Sequence, residues 1–456
     1  MSETDQTAAG WYEATRVPSP ERPALHVDLD VDVCVIGGGL AGLTVAREVA
    51  QRGWSVVVLE AHRVAWAASG RNTGFVLPGF GAPIDDIVER VGLDHAKELW
   101  ALSEQGLSYV RNTIADTKMP GVDPQPGWLH ISKTDNGGEQ RSFVERLRWI
   151  GADVEHWPKE RVRGEIVNPR YFGAVHYRNA FHIHPLNYAL GLAALAEKAG
   201  ARIFEATPAV EIDTGGVRKR IGTPNAKIRA GHVVYAGNVN LGALEPKLSA
   251  TLLPVTTFVL VTEPLGPALH ELVRTRAAIS DTNRADNHYR IVGGDRLQWS
   301  GRMRAWQADP RWVARGLSAD IARNFPGLGK PEIAHRWRGT LGRTIHRMPQ
   351  IGEIERGVWL ASGFGGHGLN TSALGGELVA RAMIDNDQTW RMFAPYELVW
   401  SGGLIAKALA QGIYWGTRPI DRARQEFALY REQAANRKEA RKAARSVKDS
   451  GQQAAE

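Results

Sequence analysis

At 456 residues, the chain exceeds what a single hydrophobic core usually supports, so two packed domains with extensions are expected. Its composition, 43% hydrophobic and 23% charged, is that of a globular protein. Residues 437–448 carry six Lys or Arg against one Glu, a net +5 out of the chain's total of +7. The rest of the chain is therefore nearly neutral, which argues against nucleic acid as a partner.

The N-terminal residues 1–28 predict an extended arm, since Pro18, Pro20 and Pro23 lie among charged residues. This arm lacks the basic and apolar regions of a signal peptide. The single cysteine, Cys34, rules out an intrachain disulfide, and no run is apolar and long enough to span a bilayer. These features predict a cytoplasmic protein without a transmembrane segment.

Residues Val31–Glu60 predict a unit of strand, glycine turn, helix and strand. Val31–Ile36 is a β-branched run without alternation, which is typical of a buried parallel strand. Leu43–Arg52 has helical spacing and ends at Gly53, and a second apolar strand leads to Glu60.

The turn inside this unit matches the dinucleotide-binding pattern G-x-G-x-x-G at Gly37, Gly39 and Gly42. The first glycine permits a tight turn, the second lets backbone approach a pyrophosphate, and the third packs the helix on the strand. The helix N-terminus favours phosphate, and Glu60 is placed to accept hydrogen bonds from ribose hydroxyls. The unit therefore predicts FAD or NAD binding.

Further along the chain, several segments predict secondary structure. The predicted helices are Asp85–Thr113, Asn136–Ile150, Leu186–Ala199, Ser372–Ile384 and most of residues 396–434. The predicted strands are Gly127–Ser132, Arg202–Glu205, Lys227–Val234, Phe258–Thr262, Ile291–Ser300 and Val358–Ser362. Phe258–Thr262 and Ile291–Ser300, the latter with a turn at Gly293–Asp295, suggest a separate antiparallel sheet.

A second glycine-rich turn, Gly363–Gly368, also lies between a strand and a helix. The next acidic residue, Asp385, follows that helix instead of ending a strand, so a second dinucleotide site is rejected. Such a turn can hold backbone against a planar ring, and its helix dipole would stabilise negative charge on a reduced flavin.

Six ordered segments carry a family resemblance: Val31–Gly42, Ala68–Asn72, His182–Asn187, Tyr235–Gly237, Arg347–Pro349 and Gly363–Gly368. Together they resemble the glycine/D-amino-acid oxidase superfamily of FAD-dependent oxidoreductases, and within it the γ-glutamylputrescine oxidase-like proteins. The resemblance runs from about Trp11 to about Asp421.

The fold class that the resemblance implies is α/β: a Rossmann-type FAD-binding domain of discontinuous segments, plus an α+β substrate domain with a mostly antiparallel sheet. The expected ranges are 29–82, 160–241 and 335–395 for the FAD-binding domain and 83–159 and 242–334 for the substrate domain. A helical segment, 396–436, and a basic tail, 437–456, follow. We expect the tail to be a solvated helix, with an anionic membrane or a partner as the alternative contact.

The resemblance also implies the residues that hold FAD. They are Gly37, Gly39, Leu40, Ala41, Gly42, Glu60 and Ala61 at the ADP half, Ser69, Arg71, Asn72 and Gly74 in the following loop, Val210 at the adenine, Gly237, and Gly365, Gly366, His367, Gly368, Leu369 and Asn370 around the flavin ring. The loop has no histidine and the only cysteine lies in the first strand. Non-covalent FAD is therefore expected.

The hypothesis for the reaction is oxidation of a small-molecule amine, by hydride transfer to flavin N5 and hydrolysis of the imine. His367, Tyr289 and His288 are the candidate catalytic or substrate-lining residues. Arg290, Arg302, Arg338 and Arg343 are candidate partners for a substrate carboxylate, against the alternative of surface salt bridges. The substrate by resemblance is a primary or secondary amine, such as a γ-glutamylated or other carboxylate-bearing one.

We expect the reduced flavin to pass its electrons to molecular oxygen or to another electron acceptor. Leu297–Arg302 lacks the lysine that speeds reaction with oxygen in some relatives, although Arg302 could supply a charge. The alternative is an N-substituted or D-amino-acid dehydrogenase that passes electrons to a quinone, with Leu404–Trp415 and the tail on a membrane surface. A flavin-binding subunit or a tRNA-modifying protein is a third possibility.

His182 and His184 share a strand face, yet no third ligand follows, so hydrogen bonding is favoured over a metal site.

Overall fold

A computed structural model describes residues 10–282, 287–304 and 310–453. Within these residues the strands are β1 (Leu29–Ile36), β2 (Val56–Leu59), β3 (Phe75–Val76), β4 (Gln125–Ser132), β5 (Val154–Pro158), β6 (Gly173–His182), β7 (Arg202–Phe204), β8 (Glu211–Asp213), β9 (Lys219–Gly222), β10 (Lys227–Tyr235), β11 (Leu253–Thr262), β12 (Ala278–Asp281), β13 (His288–Val292), β14 (Arg296–Arg304), β15 (Ile333–Arg343), β16 (Gln350–Glu355) and β17 (Val358–Ser362).

The α-helices are α1 (Trp11–Ala14), α2 (Leu40–Gln51), α3 (Ile84–Val91), α4 (Leu93–Thr117), α5 (Gly137–Trp149), α6 (Lys159–Glu165), α7 (Pro185–Lys198), α8 (Pro246–Ser249), α9 (Pro267–Leu272), α10 (Pro310–Asn324), α11 (Gly368–Asp385) and α12 (Gly403–Gln453). Short 3-10 helices span Ala68–Gly70, Asn238–Leu244, Pro326–Leu328, Gly365–His367 and Thr389–Phe393. None of the helices in the described ranges is long and apolar enough to cross a membrane.

The first sheet has the strand order β16-β17-β10-β1-β2-β7, with β9 added beside β10 and β8 beside β9. Strand β1 pairs in parallel with both β10 and β2, and Val33, Cys34 and Val35 at its centre are fully buried. Burial on both faces explains why this strand is an uninterrupted apolar run. The predicted strand, glycine turn, helix and strand over Val31–Glu60 is confirmed.

The second sheet has the order β15-β11-β14-β13-β12-β4-β6-β3, with β5 beside β6. Its pairings are antiparallel except between β12 and β4. The first sheet is parallel from β17 to β7 and antiparallel at β16, β9 and β8. The predicted fold class, a Rossmann-type domain plus a second domain with a mostly antiparallel sheet, is confirmed. Helix α11 packs against α2 and α4, over the first sheet.

Three strands of the second sheet come from ranges that the sequence analysis assigns to the FAD-binding domain. They are β3, within 29–82, β6, within 160–241, and β15, most of which lies within 335–395. Strand β3 pairs with β6, β6 pairs with β4, and β15 pairs with β11. Local periodicity shows that a segment is extended but not which strand it pairs with, so the sheet of these strands cannot be read from the sequence.

Three predicted elements differ in extent. The helix expected over Asp85–Thr113 is two helices, because Gly92 between them has φ +81°. The helix expected from residue 396 begins at Gly403, after Gly402 with φ +83°. The N-terminal arm contains the short helix α1. Residues 1–9 of the arm, residues 454–456 of the basic tail, and the tail's side chains from residue 443 onward lie outside the described part of the chain.

Candidate active site

A cavity of about 1480 Å³ is lined by residues of both sheets. This volume exceeds the ~300–1,000 Å³ of a common small-molecule pocket. One end is formed by the turn after β1 and the end of β2, and the other by β4, β12, β13 and β14. The turn before α11 also lines the cavity. A space of this volume can hold an extended cofactor together with a second molecule.

The turn after β1 is tightly packed against the strand beside it. Gly37 has φ +116°, and a Cβ atom there would lie 2.9 Å from the carbonyl of Ala236. A Cβ at Gly42 would lie 2.0 Å from the carbonyl oxygen of Gly37. Only glycine fits at these two positions, so the backbone of Gly39, Leu40 and Ala41 at the start of α2 is brought to the cavity wall.

The carboxylate of Glu60 lines the same end of the cavity. Its two oxygens accept backbone hydrogen bonds from Gly38 at 2.8 Å and from His62 at 2.9 Å. Burial raises the pKa of Glu60, and these two N–H groups oppose that shift. Each carboxylate oxygen keeps further acceptor capacity, which fits the hydroxyl groups of a ribose.

Ser69 joins the loop after β2 to the start of α2. Its hydroxyl oxygen accepts the backbone N–H of Leu40 at 3.0 Å, and a Cβ at Gly39 would lie 2.9 Å from it. Arg71 in the same loop donates to the Trp66 carbonyl and lies over the Trp66 ring. Backbone N–H groups at a helix N-terminus, a hydroxyl and a guanidinium form a donor set that suits a pyrophosphate. These residues therefore fit the ADP half of FAD.

The second glycine turn leads from β17 into α11, whose 18 residues begin at Gly368. His367 precedes the helix, and its Nδ1 is buried without a hydrogen-bond partner in the described part of the chain. Burial lowers the pKa of His367 to about 4, and the neighbouring His288 and Arg343 contribute to the same shift. The turn thus offers a helix N-terminus and a neutral imidazole to the middle of the cavity, as suits the flavin ring.

The structure brings most of the predicted site residues to this one cavity. Those that line it are Gly37, Gly39, Leu40, Ala41, Glu60, Ala61, Ser69, Arg71, Asn72, Gly237, His288, Gly365, Gly366, His367, Gly368 and Leu369. The predicted residues that do not line it are Gly42, Gly74, Val210, Tyr289 and Asn370.

Tyr289 was predicted to line the substrate site, but it does not line the cavity. It is fully buried in the core behind the second sheet, stacked on Trp299 at 4.6 Å, with its hydroxyl 2.8 Å from that of Tyr171. Its neighbour His288 lines the cavity. Successive residues on a strand face opposite sides of the sheet, so only one of the two can meet a ligand.

The other residues away from the cavity wall have structural contacts. The backbone N–H of Val210 donates to the Gly222 carbonyl, and its side chain is exposed. Asn370 is buried and donates to the carbonyls of Gly79 and Ser103. Gly74 packs against the Ile183 carbonyl. These three residues support the segments around the cavity.

The four arginines proposed to bind a carboxylate divide into two pairs. Arg290 is buried and donates to the Ile183 carbonyl and to the Tyr12 hydroxyl. Arg302 forms an ion pair with Asp320 at 2.7 Å. Arg338 and Arg343 line the cavity. Arg338 and Arg343 are therefore the two candidates that can meet a substrate in the cavity.

His182 and His184 hold segments together through both ring nitrogens. His182 contacts the Arg276 carbonyl and Arg290, each at 2.8 Å. His184 Nδ1 accepts the backbone N–H of Asn187 at 3.1 Å, and its Nε2 lies 3.0 Å from the Thr15 hydroxyl. The described residues contain no group of three or more His, Cys, Asp or Glu that could hold a metal ion.

Several lining residues were not found from the sequence. They are Trp100, Trp128, His130, Tyr177, Ser280 and Ser300 at the second sheet and its flanking helix, and Ala410, Ile413, Tyr414 and Thr417 on α12. They belong to no short motif. Alternation along β4 shows that Trp128 and His130 share a face, but nothing local shows that this face meets the glycine turns.

Comparison with known proteins identifies relatives over most of the chain. The sequence profile of the DAO family, described as FAD dependent oxidoreductase, matches residues 32–382. The chain is 31% identical to "Gamma-glutamylputrescine oxidoreductase" of Escherichia coli K12 over 86% of this chain and 92% of that protein. It is 29% identical to "Probable oxidoreductase OrdL" of Haemophilus influenzae over 88% of this chain and 94% of that protein. The predicted family resemblance is confirmed.

Solved structures show the same fold. Glycine oxidase from Geobacillus kaustophilus superimposes with a TM-score of 0.67 at 21% identity, over 82% of this chain and 99% of that one. The part of the chain beyond the family match, after residue 382, includes α12, which contributes to the cavity wall.

Proposed function

The chain belongs to the DAO family of FAD-dependent oxidoreductases, and from that premise we propose that it oxidises the C–N bond of a primary or secondary amine that carries a second polar group. FAD is its cofactor, and CH–NH or CH–NH₂ groups are its donors, as the family membership shows. The proposal adds the substrate class, a neutral amine as the reacting form, and oxygen as the acceptor with release of peroxide.

A single observation supports this proposal most strongly: one cavity joins both glycine turns to the polar face of the second sheet. The turns provide positions for the ADP half and the ring of FAD. The sheet face, with Trp128, His130 and His288, would then lie beside the ring and provide the space for the amine. The 31% identity to a γ-glutamylputrescine oxidoreductase supports an amine with a polar extension.

FAD, when bound, would supply an acceptor for the two electrons and the hydrogen of the C–H bond next to the amine nitrogen, so that the carbon–nitrogen single bond becomes a double bond. The protein's own residues orient the substrate and exclude water. Burial lowers the pKa of both His288 and His367 to about 4, so near neutral pH neither ring adds a positive charge. Such surroundings favour an uncharged amine, since a buried ammonium ion without a partner is costly.

The first residues of α11 line the cavity, so the positive end of the helix would stabilise negative charge that develops there on reduction. The stacked rings of Trp128 and Tyr177, 4.3 Å apart, form a wall that limits water near the reacting carbon. Arg302 is engaged by Asp320, so it is not available as the cation that promotes reaction with oxygen. Arg338 and Arg343 line the cavity and place positive charge at its wall.

A second candidate is a dehydrogenase for N-substituted or D-amino acids that passes electrons to a quinone. The exposed apolar side chains at the start of α12 favour it: Leu404 is 81% exposed, Ile405 77% and Leu409 64%. Together with the basic residues of the tail, this surface could lie on an anionic membrane, where quinones reside.

Oxygen consumption and peroxide release, measured with a panel of mono-acylated diamines, N-methyl amino acids and D-amino acids, test the two candidates. We expect one acylated diamine to give equal amounts of oxygen consumed and peroxide formed. Turnover that needs a quinone analogue and forms no peroxide would replace the oxidase with the dehydrogenase. A holoprotein that turns over no amine with either acceptor would contradict both.

A further inference from the structure

Four polar side chains form one row across the centre of the second sheet. His130 on β4 is the register partner of Ser280 on β12, and Ser280 is the partner of His288 on β13. His288 is in turn the partner of Ser300 on β14. Directly opposed residues on neighbouring strands project from the same face, and all four line the cavity. We call this set the polar row.

A chain of hydrogen bonds fixes the ring of His130. The indole Nε1 of Trp128 donates to Ser280 Oγ at 2.8 Å, and Ser280 Oγ lies 3.0 Å from His130 Nδ1. An indole N–H can only donate, so the serine oxygen accepts it, and we assign the serine's own proton to His130 Nδ1. His130 therefore carries its proton on Nε2, the ring nitrogen left for a ligand.

His288 has the same tautomer for a different reason. Its Nδ1 is buried without a hydrogen-bond partner in the part of the chain that the structure describes. An orphaned buried N–H is rarer and costlier than an orphaned lone pair, so the proton belongs on Nε2. Burial lowers the pKa of His288 to about 4 and also lowers that of His130, so both rings are neutral near pH 7. The row thus presents uncharged donors.

The chemistry of the row selects the group that it can bind. N–H and O–H donors need an acceptor, and neutral donors in a buried site cannot by themselves offset the desolvation of a carboxylate. An amide carbonyl accepts two hydrogen bonds and carries no charge. The stacked Trp128 and Tyr177 rings beside the row suit the methylene chain between such an amide and the amine.

We propose that the polar row of His130, Ser280, His288 and Ser300 is the subsite that binds an uncharged amide carbonyl of the substrate. The proposal rests on the proposed function for the amine end of the substrate. His130, Ser280, His288 and Ser300 are then specificity-determining residues, and a mono-acylated diamine is a better substrate than an alkylamine of equal length.

The test uses FAD-loaded protein and N-butylacetamide, an amide that lacks an amine and cannot be oxidised. Its dissociation constant is measured from the change it causes in the absorbance of the bound flavin. Removal of one donor from a buried pair weakens binding about tenfold. We expect about a tenfold rise in Kd for His130→Phe, which removes a donor, and a smaller rise for Ser280→Ala, which removes the hydroxyl that orients the His130 ring. His130→Gln, whose amide restores a donor, should recover part of the affinity.

His270→Phe is the matched control, because His270 is exposed on α9 and does not line the cavity. Melting temperature and FAD content are measured for each variant. Failure of the wild-type protein to bind N-butylacetamide would overturn the proposal, even if amines are oxidised. Equal Kd values for wild type, His130→Phe and Ser280→Ala would also overturn it.

A parallel titration compares mono-N-acetyl diaminobutane with the unbranched alkylamine of the same chain length under anaerobic conditions. We expect His130→Phe to raise the concentration needed for half-maximal bleaching about tenfold with the acetylated amine, and by a clearly smaller factor with the alkylamine, which has no amide to lose a donor. An equal loss with both amines would assign the row a structural role. Amide binding without bleaching by any amine would retain the polar row as an amide site and contradict the proposed function.

Discussion

At the cofactor end of the cavity, the wall is built from backbone and from residues close together in the sequence, whereas at the substrate end it is built from side chains on four strands. Gly37, Gly39 and Gly42 lie within one turn, and Glu60 follows one helix later. The polar row draws on residues 130, 280, 288 and 300. A diphosphate needs closely approaching N–H groups, which one short segment can supply, while selection among amines needs side chains from several directions.

This difference predicts different responses to mutation. A change at the cofactor end should impair FAD binding and, through it, every reaction of the protein. A change at the substrate end should alter the choice of amine and leave FAD in place. The four predictions that follow test this distinction, in order of decreasing effect.

Gly42→Ala is expected to have the largest effect. The new methyl group would lie 2.0 Å from the Gly37 carbonyl oxygen, so the turn and the helix must move apart. We expect loss of most FAD during purification and a loss of stability of about 1–3 kcal/mol. The flavin absorbance per protein and thermal unfolding measure both effects. Gly164→Ala, where a Cβ meets nothing within 4 Å, is the control. Full FAD content in Gly42→Ala would show that the turn is not needed for the cofactor.

Acidification should destabilise the folded protein through its buried neutral histidines. Burial lowers the pKa of His182 to about 3 and those of His184 and His288 to about 4, below the ordinary value of 6.5. The unfolded chain therefore binds protons that the folded protein does not. Stability from these groups is present above pH 6.5 and is lost as the pH falls toward 4.

Each such histidine contributes a slope of at most about 1.4 kcal/mol per pH unit between its two pKa values. Urea unfolding at a series of pH values from 7 to 4 measures the summed slope. His182→Gln, which removes one titrating group, should reduce it. A free energy of unfolding that is constant across this range would contradict the neutral, buried state of these rings.

Glu60→Gln should weaken FAD binding about tenfold, because an amide keeps one acceptor oxygen and loses the charge that strengthens hydrogen bonds to it. Titration of the apoprotein with FAD, followed by flavin fluorescence, gives the dissociation constant. At saturating FAD, discrimination between acetylated and alkyl amines should equal that of the wild type. Altered discrimination would mean that the two ends of the cavity are coupled.

Tyr289→Phe should have the smallest effect. It removes the hydrogen bond to Tyr171 within the core, which is worth about 1 kcal/mol of stability. Since Tyr289 lies on the face of β13 away from the cavity, kcat/KM for the best amine should stay within twofold of the wild-type value. A large fall in kcat/KM with normal FAD content would place Tyr289 at the substrate after all.

The sequence predicted the cofactor end in detail because its signals are local. Glycine spacing, the apolar run of β1 and the acid at the end of β2 all lie within 30 residues, and the structure assembles them as expected. The family resemblance extended the prediction to Gly365–Leu369, which lines the same cavity.

The substrate end could be predicted only in part because it depends on strand pairing. Residues His288 and Tyr289 were both candidates, and the side of the sheet that faces the cavity decides between them. His130 and Ser280 meet because β4 and β12 pair in parallel across nearly 150 residues of sequence. The sheet to which β6 and β15 belong depends on the same kind of pairing information.

We propose that one cavity holds FAD at one end and an oxidisable amine at the other. An anaerobic absorbance titration of the purified holoprotein with a mono-acylated diamine tests it most directly. We predict a flavin spectrum that bleaches with one equivalent of amine per flavin and returns when air is admitted. A protein that shows no flavin band even after FAD is added, or whose flavin no amine bleaches, would contradict the claim.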